Sequence, residues 1–238
     1  MMKLKKDDGV SSIVAVMLVL TVLVIGVTVF MGTYLPDLKE TSELQNSEEI
    51  RDVFVNYATT VEGIYTTQQN GYYSWTITLG AGDVLFSPSK SSGLFEGKQN
   101  TGTVDISYTE NGENKHLDCH TLDLSYTPVL SYWSNLGYTY EKGTVTVTRD
   151  TGARANYLTL TNSAAGYYVD GTTLTVIDFT EENGSNFKSG SGTAALTLKI
   201  EKDTANSKDS VGDVSVGDIS LPNEVTKINV LKATVSIK

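Results

Sequence analysis

The sequence has 238 residues, of which 39% are hydrophobic and 19% are charged, and its formal net charge is −10. This composition excludes a disordered chain and a membrane protein with many spans. The acidic balance excludes a nucleic-acid partner, which would need a basic face. Cys119 is the one cysteine, so no intrachain disulfide can form and a site of several thiolates is excluded.

An uncharged segment between Gly9 and Pro36 is the first feature along the chain. Its centre, IVAVMLVLTVLVIGVTVF (13–30), is long enough to cross a bilayer, because about 20 apolar residues in a helix span the hydrocarbon core. A core helix of a soluble domain would show a polar face, which this run lacks. Lysines precede it, which predicts a single-pass membrane protein with a cytoplasmic N-terminus and an extracellular C-terminal domain. A secretory signal peptide is the alternative, but its apolar core is shorter and ends at a small-x-small cleavage site.

The segment KDDGVSSIVAVMLVL (6–20) resembles the N-terminus of archaeal type IV pilin-like proteins, which carry a class III signal peptide. That pattern is a charged leader, a glycine, a V-S-P-like start and an apolar helix; Ser12 stands where the family usually has proline. The resemblance implies that a membrane-embedded prepilin peptidase cuts between Gly9 and Val10, which leaves the helix on the mature protein. It also implies assembly with identical or related pilin subunits. Bacterial relatives have glutamate at the position of Val14, so no charge pair with the Val10 amine is expected.

A helical pattern continues beyond the apolar run. Apolar residues recur at spacings of three and four over much of this stretch and predict one buried stripe: Leu35, Leu38, Ile50, Val53, Phe54, Tyr57, Val61 and Ile64. Charged residues between them predict a solvated face: Lys39, Glu40, Glu43, Glu48, Glu49, Arg51 and Asp52. Pro36 is expected to kink the helix or to begin its second half. The resulting division is a leader over 1–9, a transmembrane and assembly helix over 10–36 and an amphipathic extension over 37–68.

From Gly71 the pattern alternates and is rich in β-branched and aromatic residues. Strands are predicted at 72–79, 103–108, 144–148, 172–177, 194–200 and 228–237. Asn-Gly or Lys-Gly turn signals lie at 111–112, 142–143 and 183–184. The predicted fold class is α+β, with a long N-terminal hydrophobic and amphipathic helix followed by an antiparallel β-sandwich-like domain over 69–238. Nine to twelve strands, or two small lobes, would fit that length.

Both histidines and the cysteine lie within HLDCH (116–120). On a strand, His116, Asp118 and His120 would share one face, which could bind Zn²⁺ or Cu²⁺. The alternative is an exposed strand face with Leu117 and Cys119 pointing inward. The sequence shows no fourth ligand beside this group.

Asn183 begins the one N-x-Ser/Thr sequon, so it is a candidate glycosylation site in an exported protein. No catalytic signature is present, including G-x-S-x-G, P-loop, H-E-x-x-H and dinucleotide-binding motifs. We therefore expect no enzymatic activity and no cofactor. The sequence favours a pilin-like surface subunit. A permanently membrane-anchored binding module is the first alternative, and a surface metal-binding or enzymatic protein using His116 and His120 is the second.

Overall fold

The computed structural model describes residues 8–84, 90–129, 132–133, 136–148, 153–182 and 186–238; at 8–11 and 101–103 it describes the backbone alone. A long N-terminal helix is followed by a β-rich domain whose strands are mostly antiparallel, which confirms the predicted fold class.

The N-terminal helix has three sections. Helix α1 covers Asp8–Val29, a single π-helical turn covers Phe30–Tyr34, and helix α2 covers Leu35–Thr67. The π turn ends two residues before Pro36, which has no N–H to donate to the preceding turn. Because the turn is wide, the N–H of Leu35 bonds the carbonyl of Phe30. The proline is thus accommodated by a π turn, and helical structure continues on both sides of it.

The described residues contain thirteen β-strands. They are β1 Gly71–Thr78, β2 Ser92–Glu110, β3 Glu113–Val129, β4 Gly137–Glu141, β5 Thr144–Thr148, β6 Arg154–Thr159, β7 Tyr167–Asp170, β8 Thr173–Glu181, β9 Phe187–Gly190, β10 Thr193–Lys202, β11 Gly212–Val216, β12 Ile219–Ser220 and β13 Lys227–Ile237. A short helix, α3, covers Thr161–Ala165 and has no counterpart in the sequence prediction.

The strands form two sheets. The five-stranded sheet has the order β1-β10-β13-β8-β7. The eight-stranded sheet has the order β12-β11-β2-β3-β4-β5-β6, with β9 added beside β2. One pairing departs from the antiparallel expectation, because β8 and β13 run parallel from Thr173 beside Lys227 to Glu181 beside Val235.

Each predicted strand segment overlaps an observed strand. The turns at 111–112 and 142–143 join β2 to β3 and β4 to β5. Their first residues, Asn111 and Lys142, have φ of 54° and 44°, and both are followed by glycines with positive φ, as two-residue hairpin turns require. The predicted turn at 183–184 lies outside the described residues. The strand count exceeds the expected nine to twelve because several short edge strands carry little sequence signal.

The second half of α2 is part of the main core, between the two sheets. Its buried apolar residues are Ile50, Phe54, Tyr57, Ala58, Val61, Ile64 and Tyr65. The ring of Phe54 meets Phe95 of β2 edge to face at 6.0 Å, and that of Tyr57 meets Tyr140 of β4 in the same way at 5.0 Å. Burial of each such side chain contributes about 1.5–3 kcal/mol. The predicted stripe is confirmed from Ile50 onward, whereas Leu38 is exposed.

One residue of the predicted solvated face is buried. Glu43 is only 7% exposed, and its Oε2 accepts a hydrogen bond from the backbone N–H of Tyr132 at 2.7 Å. Assigning it to the solvated face was wrong. A buried carboxylate needs donors, and here a donor comes from a loop 89 residues away. No local pattern in the sequence signals that contact.

Candidate membrane and assembly segment

The apolar side chains of α1 are exposed on every side of the helix. From Ile13 to Val29, each large apolar side chain is between 54% and 68% exposed. The most apolar window of the helix has a mean hydropathy of 3.0, and none of that window is buried. By length and composition this helix could cross a membrane once. Exposed apolar surface costs about 25 cal/mol per Å² in water, so α1 is stable only in lipid or against other apolar surfaces.

The hydroxyl groups within α1 bond its own backbone. Thr21 Oγ1 donates to the carbonyl of Met17 at 2.8 Å, and Thr28 Oγ1 donates to that of Val24 at 2.7 Å. An unpaired polar group inside a membrane costs several kcal/mol. These two bonds therefore let threonine occur in the apolar run without presenting a free donor to lipid.

Gly26 interrupts the layer of large side chains on α1. Together with Val27, Phe30 and Met31 it lines a shallow apolar depression. A Cβ placed on Gly26 would meet nothing within 4 Å. Small residues on apolar helices let a second helix approach closely. The depression is therefore the place on α1 where another helix could come nearest to its backbone.

Helix α2 is also attached to the β domain by polar side chains in the first half of the helix, at Asn46 and Ser47. Asn46 Nδ2 donates to the carbonyl of Thr78 at the end of β1, at 3.1 Å. The hydroxyl of Ser47 lies 2.9 Å from the hydroxyl of Tyr138 on β4. Because these bonds join α2 to both sheets, they hold the domain against the helix a short distance beyond the π turn.

The structure places the backbone of Gly9 and Val10, the predicted processing residues, in the first turns of α1. A cut between them would remove the leader and leave the apolar helix intact. The third predicted modification residue, Asn183, lies outside the described residues.

The predicted histidine group lies on β3, and the strand alternation is as expected there. Cys119 is buried, whereas His116 and Asp118 are exposed. His116 Nδ1 lies 2.9 Å from Ser107 Oγ on β2. His120 lies apart from it, with Nδ1 2.8 Å from Asp178 Oδ1 on β8.

Asp178 also accepts the backbone N–H of His120 at 2.8 Å, so this pair joins the two sheets. Within the described residues, no group of three or more His, Cys, Asp or Glu side chains could hold a metal ion. The structure therefore does not bring His116, Asp118 and His120 together at one centre, and metal binding there stays a prediction.

Burial raises the pKa of the Cys119 thiol to about 12, and the negative charges of Asp178 and Asp118 add to the effect. The thiolate is the form that attacks electrophiles and binds metals. Cys119 therefore stays protonated at neutral pH and acts as a small apolar residue of the core.

No protein-family model, no curated protein sequence and no solved structure matches this chain.

Proposed function

We propose that this chain is a type IV pilin-like surface subunit of the archaeal type. In this proposal, α1 holds the subunit in the membrane and then packs against α1 of identical or related subunits in a filament. One observation carries the proposal: α1 is apolar and exposed on every side, and it continues into a helix that is built into the core of the β domain. Lipid and neighbouring helices can cover the same surface, and repeated head-to-tail contacts of one kind produce an open filament.

The proposed topology follows from charge. Lys3, Lys5 and Lys6 precede the apolar run, and positively charged residues favour the cytoplasmic side. The acidic β domain then lies outside the cell. Its role is display, and no catalytic residue or cofactor is assigned to it. The membrane is the partner that this topology requires, and a prepilin peptidase is the partner that the resemblance to archaeal type IV pilin-like proteins implies.

A second candidate is a binding module that remains permanently anchored and never polymerises. The length and hydropathy of α1 favour it equally, because they fit a single membrane span. Processing and assembly separate the two candidates, since an anchored module needs neither cleavage nor a filament.

The experiment is to express the full chain together with an archaeal prepilin peptidase in cells and to extract the chain from their membranes. N-terminal sequencing of the extracted protein should begin at Val10. The matched control is Gly9→Val, whose bulkier side chain before the cut should leave the leader attached. A mature protein that keeps Met1 or Met2, or that begins beyond Pro36, would contradict the proposal. Cleaved protein that releases no filaments under shear would favour the anchored module.

A further inference from the structure

Strand β1 forms an open edge of the five-stranded sheet. It pairs with β10 without interruption from Gly71 beside Ile200 to Thr78 beside Thr193. The N–H of Leu79 bonds the carbonyl of Gly192, so residues at odd positions bond β10 and those at even positions point their backbone groups outward. The outward N–H and C=O groups belong to Tyr72, Ser74 and Thr76. Within the described residues, no hydrogen bond reaches any of them.

Among the described residues four other strands also have a single neighbour, and each carries a feature that discourages pairing with a second chain. Strand β9 has four residues and includes Lys188. Strand β12 has two residues. Strand β7 has four and ends at Asp170. Strand β6 begins at Arg154, and its pairing with β5 contains a register shift. Short length, charge and irregular register are common protections of sheet edges. Strand β1 has none of them, because it is eight residues long, regular and uncharged, and it contains no proline.

We propose that β1 pairs antiparallel with β1 of a second copy of this chain, about a two-fold axis at Ser74. In this register Ser74 lies opposite its equivalent, and Tyr72 lies opposite Thr76 of the other copy. Each outward N–H and C=O of these residues then finds a partner. The part of the β1 edge with unpaired backbone groups ends at Thr78, because the carbonyl of Thr78 already accepts a hydrogen bond from the Asn46 side chain. The two five-stranded sheets become one continuous sheet across the dimer, joined by an antiparallel pair of β1 strands.

We assign the strand that pairs with β1 to a second copy of this chain, because the register about Ser74 is self-complementary. A two-fold axis at Ser74 pairs the aromatic Tyr72 with the β-branched Thr76 twice, which is a favourable cross-strand combination. The chain carries a net charge of −10, yet no charged residue occurs between Glu62 and Asp83. Two copies can therefore approach along this edge without placing like charges opposite each other.

Pairing through β1 has a directional consequence. Strand β1 runs back along α2, because it begins just after the end of that helix and its last residue contacts Asn46 in the first half of α2. An antiparallel strand pair reverses the direction of everything attached to it, so the two α2 helices point in opposite directions. If α1 lies in a membrane, as the proposed function has it, the paired copies belong to facing membranes or to oppositely directed filaments. The strand pairing itself does not depend on that function.

Cysteine cross-linking of the full chain in lipid vesicles tests the register. Directly opposed residues of this kind have Cα atoms about 5.5 Å apart, which is within disulfide range. Ser74→Cys should give a disulfide-linked dimer under mild oxidation. The matched control is Thr76→Cys, because the two copies of that residue lie at least roughly 13 Å apart along the strands at 3.4 Å per residue. The native Cys119 is 1% exposed and should not react. Equal cross-linking of both variants, or none in Ser74→Cys, would overturn the proposal.

Substitutions that place opposite charges at Ser74 test whether copies in facing membranes pair through β1. Ser74 is exposed, so Ser74→Lys and Ser74→Glu should fold normally, which circular dichroism would verify. Vesicles carrying the parent chain should cluster, and vesicles carrying either variant alone should not, because like charges then oppose each other. Mixing the Lys and Glu vesicles should restore clustering. Unchanged clustering of both variants, or no recovery on mixing, would refute pairing through β1. The chain is not cleaved here, so this result is independent of the processing experiment.

Discussion

The carboxylate of Glu62 on α2 accepts two hydrogen bonds from Ser163 on α3, from the backbone N–H at 2.8 Å and from the hydroxyl at 2.6 Å. Its other oxygen accepts the N–H of Asn162 at 3.1 Å. The first N–H groups of a helix lack partners within it, and the residue at the N-cap position, Leu160, supplies no side-chain bond. Glu62 therefore caps a short helix that lies about 100 residues further along the chain.

Removing this cap should destabilise the β domain. Glu62→Ala should lower the free energy of unfolding by about 1–2 kcal/mol, because it leaves the N–H groups of α3 without an acceptor. Glu62→Gln keeps one acceptor oxygen and should cost less. The control is Glu48→Ala, at an exposed position of the same helix, which should change stability by less than about 0.5 kcal/mol. Urea unfolding of the detergent-solubilised chain, followed by circular dichroism, measures each value. Equal effects of the two alanine variants would show that the cap does not stabilise the domain.

The buried thiol of Cys119 predicts a loss of stability in alkali. Its pKa rises from 9.0 to about 12 on folding, chiefly through burial. Above pH 9 the unfolded chain loses the thiol proton while the folded chain keeps it. The free energy of unfolding should therefore fall with rising pH, by up to about 1.4 kcal/mol per pH unit from this group.

The measurement compares the parent chain with Cys119→Ala between pH 9 and pH 10. The variant is expected to be less stable throughout, but its stability should fall less steeply with pH. Thiol reagents should also leave the native parent unlabelled at neutral pH and label it in denaturant. Rapid labelling of the native chain would show that Cys119 is not buried as described.

Two hairpin glycines should respond differently to the same substitution. Gly112 and Gly143 both have positive φ, of 81° and 70°. A Cβ at Gly112 would meet nothing within 4 Å, whereas at Gly143 it would lie 2.4 Å from the backbone nitrogen of Ala164. Gly112→Ala should cost about 1 kcal/mol from backbone conformation alone. Gly143→Ala should cost a further 1–3 kcal/mol, roughly, because α3 must move. Thermal unfolding of the two variants checks the difference, and equal losses would contradict the contact with α3.

A substitution in the depression around Gly26 distinguishes filament assembly from permanent anchoring. Gly26→Leu keeps the segment apolar, so the chain should still be made, cleaved and held in the membrane. The larger side chain should reduce filament yield if a neighbouring helix packs at that depression. The control is Val16→Leu, at a position that is 68% exposed and far from the depression. The measurement is the ratio of sheared to membrane-retained protein. Equal ratios in parent and Gly26→Leu would show that no helix packs against Gly26.

The features that sequence predicted well are those set by local periodicity. The apolar run, the stripe from Ile50 to Ile64 and the alternating strands each repeat with the period of their own secondary structure. The predicted turns at Asn111 and Lys142 were recognisable because the glycine after each one tolerates positive φ. These local signals were sufficient for the fold class.

The remaining features depend on contacts between distant parts of the chain. The burial of Glu43, the cap that Glu62 provides and the joining of the sheets through His120 and Asp178 each link residues at least 58 positions apart. The parallel pairing of β8 with β13 is equally non-local. The candidate segment α1 was recognisable from its composition, whereas the open edge of β1 became visible only when the neighbours of every strand were known.

Strand β13 has the last place among the strands in sequence order but a central place in its sheet, between β10 and β8. Val235 and Ile237 of this strand belong to the same core cluster as Phe54 and Tyr57 of α2. During synthesis α2 emerges first, and its apolar stripe has no complete set of neighbours until β13 arrives. The core around α2 can therefore be completed only after β13 has been made, so the apolar face of α2 lacks part of its contacts during most of the synthesis of the domain.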